Sequence, residues 1–213
     1  FGSGAVPSEA VRNTRVITNT YDVARGQFTG GQVASTTRGG TNQVQGSLGY
    51  VANEPSLQFP DSSSTTFGQR YTQNQLSFGL GGPFTQDKAF WFASAQWRVR
   101  SDGLQSLLNA NDEILQRYNV NPDSAARFLG ALDRFGVPTS TALIPAGRNT
   151  DVLTALSRED FVMGDHHTLT VRGDWNWQRQ DATRMSALAV PAHGGNLKSL
   201  GGGALASLSS QFD

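Results

Sequence analysis

The run His167-Thr168-Leu169-Thr170-Val171-Arg172-Gly173-Asp174-Trp175-Asn176-Trp177-Gln178 alternates between two kinds of side chain. Odd positions carry Leu169, Val171, Gly173, Trp175 and Trp177, whereas even positions carry hydroxyls, amides and charges. Successive side chains of a strand point to opposite faces of its sheet, so a period of two predicts a ribbon with one apolar and one polar side. The polar side here includes Arg172 and Asp174, and the apolar side ends in two tryptophans.

Working outward, the same pattern recurs. Leu48, Tyr50 and Ala52 share a face after Gln45. Leu76, Phe78 and Leu80 alternate with Gln73, Gln75 and Ser77. Past a break at Gly81-Gly82-Pro83, Ala89, Trp91, Ala93, Ala95, Trp97 and Val99 oppose Phe90, Phe92, Ser94, Gln96, Arg98 and Arg100. A fourth strand spans about Thr150 to Val162, where Leu153/Ala155 and Val152/Leu156 compete for the apolar side. Met163-Gly164-Asp165-His166 reads as a tight turn, and a sixth strand begins at Gly201. Connections alternate: long near 57–70, tight near 83–87, very long over 102–149, tight near 163–166, long near 180–199. Short turns at one end, long loops at the other and tryptophans at strand ends are the layout of an outer-membrane β-barrel.

Composition fits this reading and excludes others. Lys+Arg and Asp+Glu both number 17, so no surplus of positive charge favours nucleic acid. Cysteine is absent, which removes disulfides and cysteine-ligated zinc. No apolar run approaches the roughly 20 residues of a spanning helix. A mean hydropathy of -0.37 is compatible with a barrel, in which only alternate residues meet lipid. The opening Phe1-Gly2-Ser3-Gly4-Ala5 lacks the basic start and apolar core of a signal peptide, and the end, Ser209 to Asp213, reads as mid-strand. The expectation is an internal piece of a longer protein, with about six strands whose open edges would prevent stable insertion alone.

The first 43 residues differ. Arg15 to Thr18 and Gln32 to Thr37 read as short strands, Tyr21 to Arg25 as a turn ended by Gly26, and the paired glycines Gly30-Gly31 and Gly39-Gly40 flank the second strand. In the long connection, Leu104, Leu107, Leu108, Ile114, Leu115 and Tyr118 suggest a helix over 104–117. A second over 122–135 is announced by Asn121-Pro122-Asp123, with a capping side chain, proline at the first position and a carboxylate near the positive end of the dipole. Phe128, Leu129, Leu132 and Phe135 line one face, and Gly136 and Pro138 end it.

Val16-Ile17, Tyr21, Arg25-Gly26, Gly30-Gly31, Thr37-Arg38-Gly39-Gly40-Thr41-Asn42 and Gly46 together resemble the end of the plug domain of TonB-dependent outer-membrane receptors. The likeness is greatest to the Oar-like branch. Gln75-Leu76-Ser77-Phe78-Gly79-Leu80-Gly81-Gly82-Pro83-Phe84, followed by Asp87-Lys88-Ala89-Phe90-Trp91-Phe92, is similar to that family's Gly-Gly-Pro hairpin and aromatic strand signature. The match covers residues 11 to 100. Departures are Arg25 where an aromatic usually sits, Gly39 in place of serine, and Val44-Gln45 where the family carries a histidine. Thr18 and Asn19 replace the basic residue and glycine of many siderophore receptors, which favours the Oar-like branch and leaves the cargo open.

The resemblance implies an all-β fold. Residues 1–43 would be the C-terminal part of a plug. Residues 44–213 would be the N-terminal part of an antiparallel transmembrane barrel, about six strands of about 22. Two short helices would lie in an extracellular loop over 102–149. It also implies the outer membrane of a Gram-negative-type envelope, contact with its lipid, an extracellular ligand, and a TonB-type inner-membrane energy-transducing complex acting through a segment upstream. Tyr21, Gly26, Gly30, Gly31, Arg38, Gly40, Thr41 and Asn42 would form the plug motif.

Tyr50, Trp91, Trp97, Trp175 and Trp177 are candidate membrane-interface aromatics; the ordinary alternative is the core of a soluble sandwich. Arg98, Arg100, Arg172 and Asp174 are lumen-facing candidates, more often plain solvated wall than cargo ligands. Asp165-His166-His167 has no third metal ligand at suitable spacing. No nucleophile elbow or phosphate loop is present, so neither an enzyme nor a cofactor is expected. Two other readings remain: an adhesion or secretion-related barrel whose loops bind partners without import, and a soluble carbohydrate-binding module.

Overall fold

The computed structural model describes residues 6–17, 32–57, 71–104 and 106–211. Tyr21, Gly26, Gly30, Gly31 and the serine-rich stretch 61–66 lie outside them. The architecture is all-β with a few short helices. A two-stranded antiparallel ribbon joins β1 (Val11–Ile17) to β2 (Gln32–Thr37). A six-stranded sheet then runs in chain order: β3 (Gln45–Asn53), β4 (Tyr71–Thr85), β5 (Ala89–Asp102), β6 (Arg148–Met163), β7 (His167–Thr183) and β8 (Gly195–Ser210). Every neighbouring pair in it is antiparallel. The sheet stays open, with β3 and β8 at its edges. Among the described residues no helix is long and apolar enough to cross a membrane, which says nothing of strands.

Register makes the alternation of each strand coherent across the sheet. Leu48, Phe78, Ala95, Ala155, Trp175 and Gly202 form one row, and Tyr50, Leu76, Trp97, Leu153, Trp177 and Leu200 the next. This apolar face is exposed: Leu48 is 77% accessible, and Phe78, Leu200 and Leu208 are exposed too. The opposite face carries Ser77, Ser94, Thr154 and Leu156, all buried. The competition within β6 is thereby decided. Leu153 and Ala155 belong to the apolar face, while Val152 and Leu156 are buried on the other. Both pairs are apolar, so only packing could separate them.

The tight turns close at 86–88 and 164–166, where Asp87 and Gly164 have φ of 61° and 68°. Gly81-Gly82-Pro83, expected as the hairpin break, instead lies within β4, with a register irregularity between Pro83 and Thr85. Those glycines leave room for neighbours: a Cβ on Gly82 would stand 2.9 Å from a methyl of Val44. The 180–199 connection is also shorter than expected, since β7 continues to Thr183 and β8 starts at Gly195.

The long connection holds α1 (Asp112–Arg117) and α2 (Pro122–Arg134). The first helix is shorter than the leucine spacing suggests. Asn111 caps it by accepting from the Ile114 amide at 2.9 Å, and Asn109 accepts from the Ser106 amide at 2.8 Å, holding the preceding residues in a turn. Short polar side chains compete in this way for backbone donors. The second helix follows its punctuation. Asn121 accepts from the Asp123 amide, and the Gly136 and Val137 amides bond the Asp133 and Leu132 carbonyls in a Schellman closure. Its packed side differs from expectation, however: Ala125 is buried and Leu129 packs with it, whereas Phe128 and Phe135 are exposed.

Two glycines of this loop should respond in opposite senses. Gly130 lies inside α2 with nothing within 4 Å of an added Cβ, whereas Gly136 has φ +73°. Gly130→Ala should stabilise the loop by about 0.5–1 kcal/mol. Gly136→Ala should destabilise it by about 1 kcal/mol, the cost of a left-handed alanine. Protease nicking rates of the loop in the purified protein check both.

Candidate functional site

The polar face of the sheet is where the N-terminal segment rests. Proline fixes the approach at Pro7, and Ser8–Ala10 form a single 3-10 turn pressed on β4 and β5. Ala10 is fully buried with Phe92 and Leu156, and Val6 packs against them. Polar bonds fix the turn's orientation. The Ser8 amide donates to Gln96 Oε1 at 3.1 Å, and the Ser47 hydroxyl donates to the Glu9 carboxylate. The Arg38 amide donates to the Ala10 carbonyl at 2.8 Å, so β2 leaves the ribbon already tied to this turn.

The glycine-rich run then descends toward the tight-turn end. Gly40 presses its backbone on the sheet: an added Cβ would collide with the Trp91 carbonyl oxygen and stand 2.8 Å from that of Gly82. The Thr41 hydroxyl donates to the Gln43 carbonyl at 2.8 Å, turning the chain toward β3. Asn42 clasps the β4–β5 turn with both ends of its amide. Its Nδ2 donates to Asp87 Oδ1 at 2.6 Å, and its Oδ1 accepts from the Asp87 amide at 2.8 Å. Arg38 Nε reaches the Val11 carbonyl at 3.4 Å, and its side chain borders an open cleft with Arg12, Thr37, Arg158 and Asp160.

Arg98, Arg100, Arg172 and Asp174 all lie on the polar face. Arg98 sits between Gln75 and Val152 in register. Arg100 pairs with Asp102 at 2.7 Å and stacks over the Tyr71 ring at 4.1 Å. Arg172 approaches Asp174 only to 3.8 Å. None of these is the arginine that reaches the N-terminal segment. Arg158 does so, donating to the Thr37 carbonyl at 3.2 Å while Asp160 holds it at 2.9 Å. Thr170 in turn donates to Asp160 at 2.6 Å. An arginine and an aspartate two residues apart share a strand face, as at 100/102, 158/160 and 172/174. That spacing was the available signal for Arg158.

Tyr50, Trp91, Trp97, Trp175 and Trp177 all lie on the apolar face. Trp97 and Trp177 share one row with Tyr50, whose hydroxyl donates to Asn74 Oδ1 at 2.7 Å. Trp175 lies one row nearer the tight turns. Trp91 is nearer still, with its ring centroid 6.3 Å from that of Phe84. The sheet thus carries aromatics toward both ends of an apolar band, and Arg–Asp pairs behind it.

No protein-family model matches the chain. No solved structure matches it either. Among curated proteins, the TonB-dependent transporter Oar of Myxococcus xanthus is 34% identical over 102 residues, which is 44% of this chain and 10% of that protein. The chain therefore spans about a tenth of that relative's length. Taken with the two-faced sheet and the glycine-rich run seated on it, the chain is similar over 44% of its length to a TonB-dependent transporter of the Oar type.

Proposed function

We propose that this chain is part of a TonB-dependent outer-membrane receptor: the end of its plug followed by the first strands of its barrel. One observation carries the reading. The sheet is apolar and exposed on one face, and polar on the other, where residues 6–10 and 37–42 are seated. A soluble sandwich would bury its apolar face against a second sheet, whereas in a bilayer that face meets hydrocarbon and the polar face encloses a lumen. In this arrangement the tight turns face the periplasm and the loops 103–147 and 184–194 face outside. Tyr50, Trp97 and Trp177 sit at one interface, with Trp91 toward the other. Arg98, Arg100, Arg172 and Asp174 line the lumen.

The loops form one cap. The Ser106 hydroxyl and the Leu107 amide both donate to the Ala189 carbonyl, at 2.8 and 2.9 Å, and Val190 packs against Leu107, Leu115 and Ala125. An extracellular ligand would be selected at this cap and imported when an inner-membrane TonB-type complex rearranges the plug. Energy is supplied from outside the chain. The exposed Phe128 and Phe135 on the cap favour, as a second reading, a barrel whose loops hold a partner without import. Deleting the inner-membrane motor in cells with the full-length protein separates the two. Ligand accumulation should fall to background while surface binding persists; uptake that continues without the motor would overturn import.

A further inference from the structure

On the apolar face, the row that includes Leu80 on β4 continues through four small residues, Ala93, Ser157, Gly173 and Ala204, and the adjoining row contributes Ala95 and Ala155. Large side chains bracket them. Phe78 on β4 and Trp175 on β7 rise on either side, 47% and 40% exposed, and leave an open apolar groove of about 460 Å³. One same-face step along β6 from Ser157 toward the tight turns stands Glu159, flanked in register by Trp91 and Val171. Residues two apart on a strand are about 6–7 Å apart, so Glu159 stands one such step beyond Ser157, the groove-lining residue of β6 nearest the tight turns. It forms no ion pair among the described residues. A lone carboxylate within an apolar band costs stability in a membrane, which makes it a candidate functional group.

A groove for hydrocarbon with an anion at one end complements a molecule with an acyl chain and a cationic head. We propose that it binds one phospholipid bearing a primary ammonium headgroup, of the phosphatidylethanolamine kind, from the leaflet on the tight-turn side. One acyl chain lies over Ala95, Ala155 and Gly173 between Phe78 and Trp175, and the ammonium meets Glu159. Small residues are required there because any larger side chain would fill the space the chain occupies. The site rests on the reading that the apolar face meets lipid.

The test uses the full-length protein reconstituted in nanodiscs with equal amounts of phosphatidylethanolamine and phosphatidylglycerol. Native mass spectrometry then measures the lipid retained after extraction. Wild type should keep the ethanolamine lipid over the glycerol lipid by about three- to tenfold. Glu159→Gln should abolish that preference while retaining lipid, and Ser157→Leu, which fills the groove with a side chain suited to lipid, should reduce retention of both. Equal retention of the two lipids by wild type, or retention unmoved by Ser157→Leu, overturns the site. So does a Ser157→Cys variant that cross-links to a second copy, which would make the groove a protein interface. Heat-modifiable gel migration reports the inserted barrel independently. Intact migration without lipid preference defeats this site alone, whereas absence of an inserted form defeats the transport reading beneath it.

Discussion

Replacing Gly40 with alanine is expected to unseat residues 38–43 from the sheet, with a loss of about 3 kcal/mol or more. The reason is space rather than backbone conformation. The added methyl would run into the Trp91 carbonyl oxygen and lie 2.7 Å from its amide nitrogen and 2.8 Å from the Gly82 carbonyl oxygen. These are backbone atoms of residues paired in register between β4 and β5, so none can swing aside as a side chain would. Relief requires the glycine-rich run to lift, which also strains the Asn42–Asp87 clasp two residues on. Gly39→Ala is the control. Its added Cβ would meet the Asp160 carboxylate at 2.8 Å and the Arg158 guanidinium at 3.6 Å, both ends of flexible side chains. It should cost about 1 kcal/mol. Trypsin cleavage at Arg38 in the full-length protein reads the difference: fast for Gly40→Ala and near wild type for Gly39→Ala. Equal protection of both would mean that the run is not seated as described.

The second large effect belongs to the apolar face. Ala155→Arg should destabilise the inserted protein by about 2–4 kcal/mol, the cost of a guanidinium near the bilayer midplane. Register selects this position over the more obvious Leu169 and Val171. Leu169 lies close to the 164–166 turn, where an arginine can snorkel to the interface, and Val171 is paired with Glu159, which would neutralise it. Ala155 lies between Ala95 and Trp175 in the middle of the band. Asn176→Arg, on the polar face opposite Thr154, should cost less than about 1 kcal/mol, because a solvated lumen accepts the charge. Urea unfolding from vesicles, followed by tryptophan fluorescence, measures both. Comparable losses at the two positions would remove the argument that hydrocarbon wets one face only.

Much of this was legible residue by residue. A two-residue period is a local property of the strand, so the long strands and the faces of β3, β4, β5 and β7 followed from side-chain order alone. The caps of α2 were equally local, since Asn121, Pro122 and Gly136 act on backbone groups within a few positions. The failures share a different cause. Gly81-Gly82-Pro83 signals a turn to its neighbours in sequence, yet stays in β4 and is matched by β5 across the sheet. Leu107, one of the leucines at helical spacing over 104–108, is drawn to Ala189 and Val190 on another loop rather than into a helix.

The order of side chains therefore determined that this protein makes two-faced strands joined by alternating short and long connections, because strand geometry couples neighbours at a fixed period. Only the tertiary structure decided where the N-terminal segment sits and what holds it. That depended on Ala10 covering Phe92 and Leu156, on Arg158 reaching Thr37 across 121 positions, and on Gly40 fitting against Trp91. Contacts between residues so far apart in the chain leave no periodic trace in the sequence, since they are set by shape and by which buried polar groups find partners once the sheet has formed.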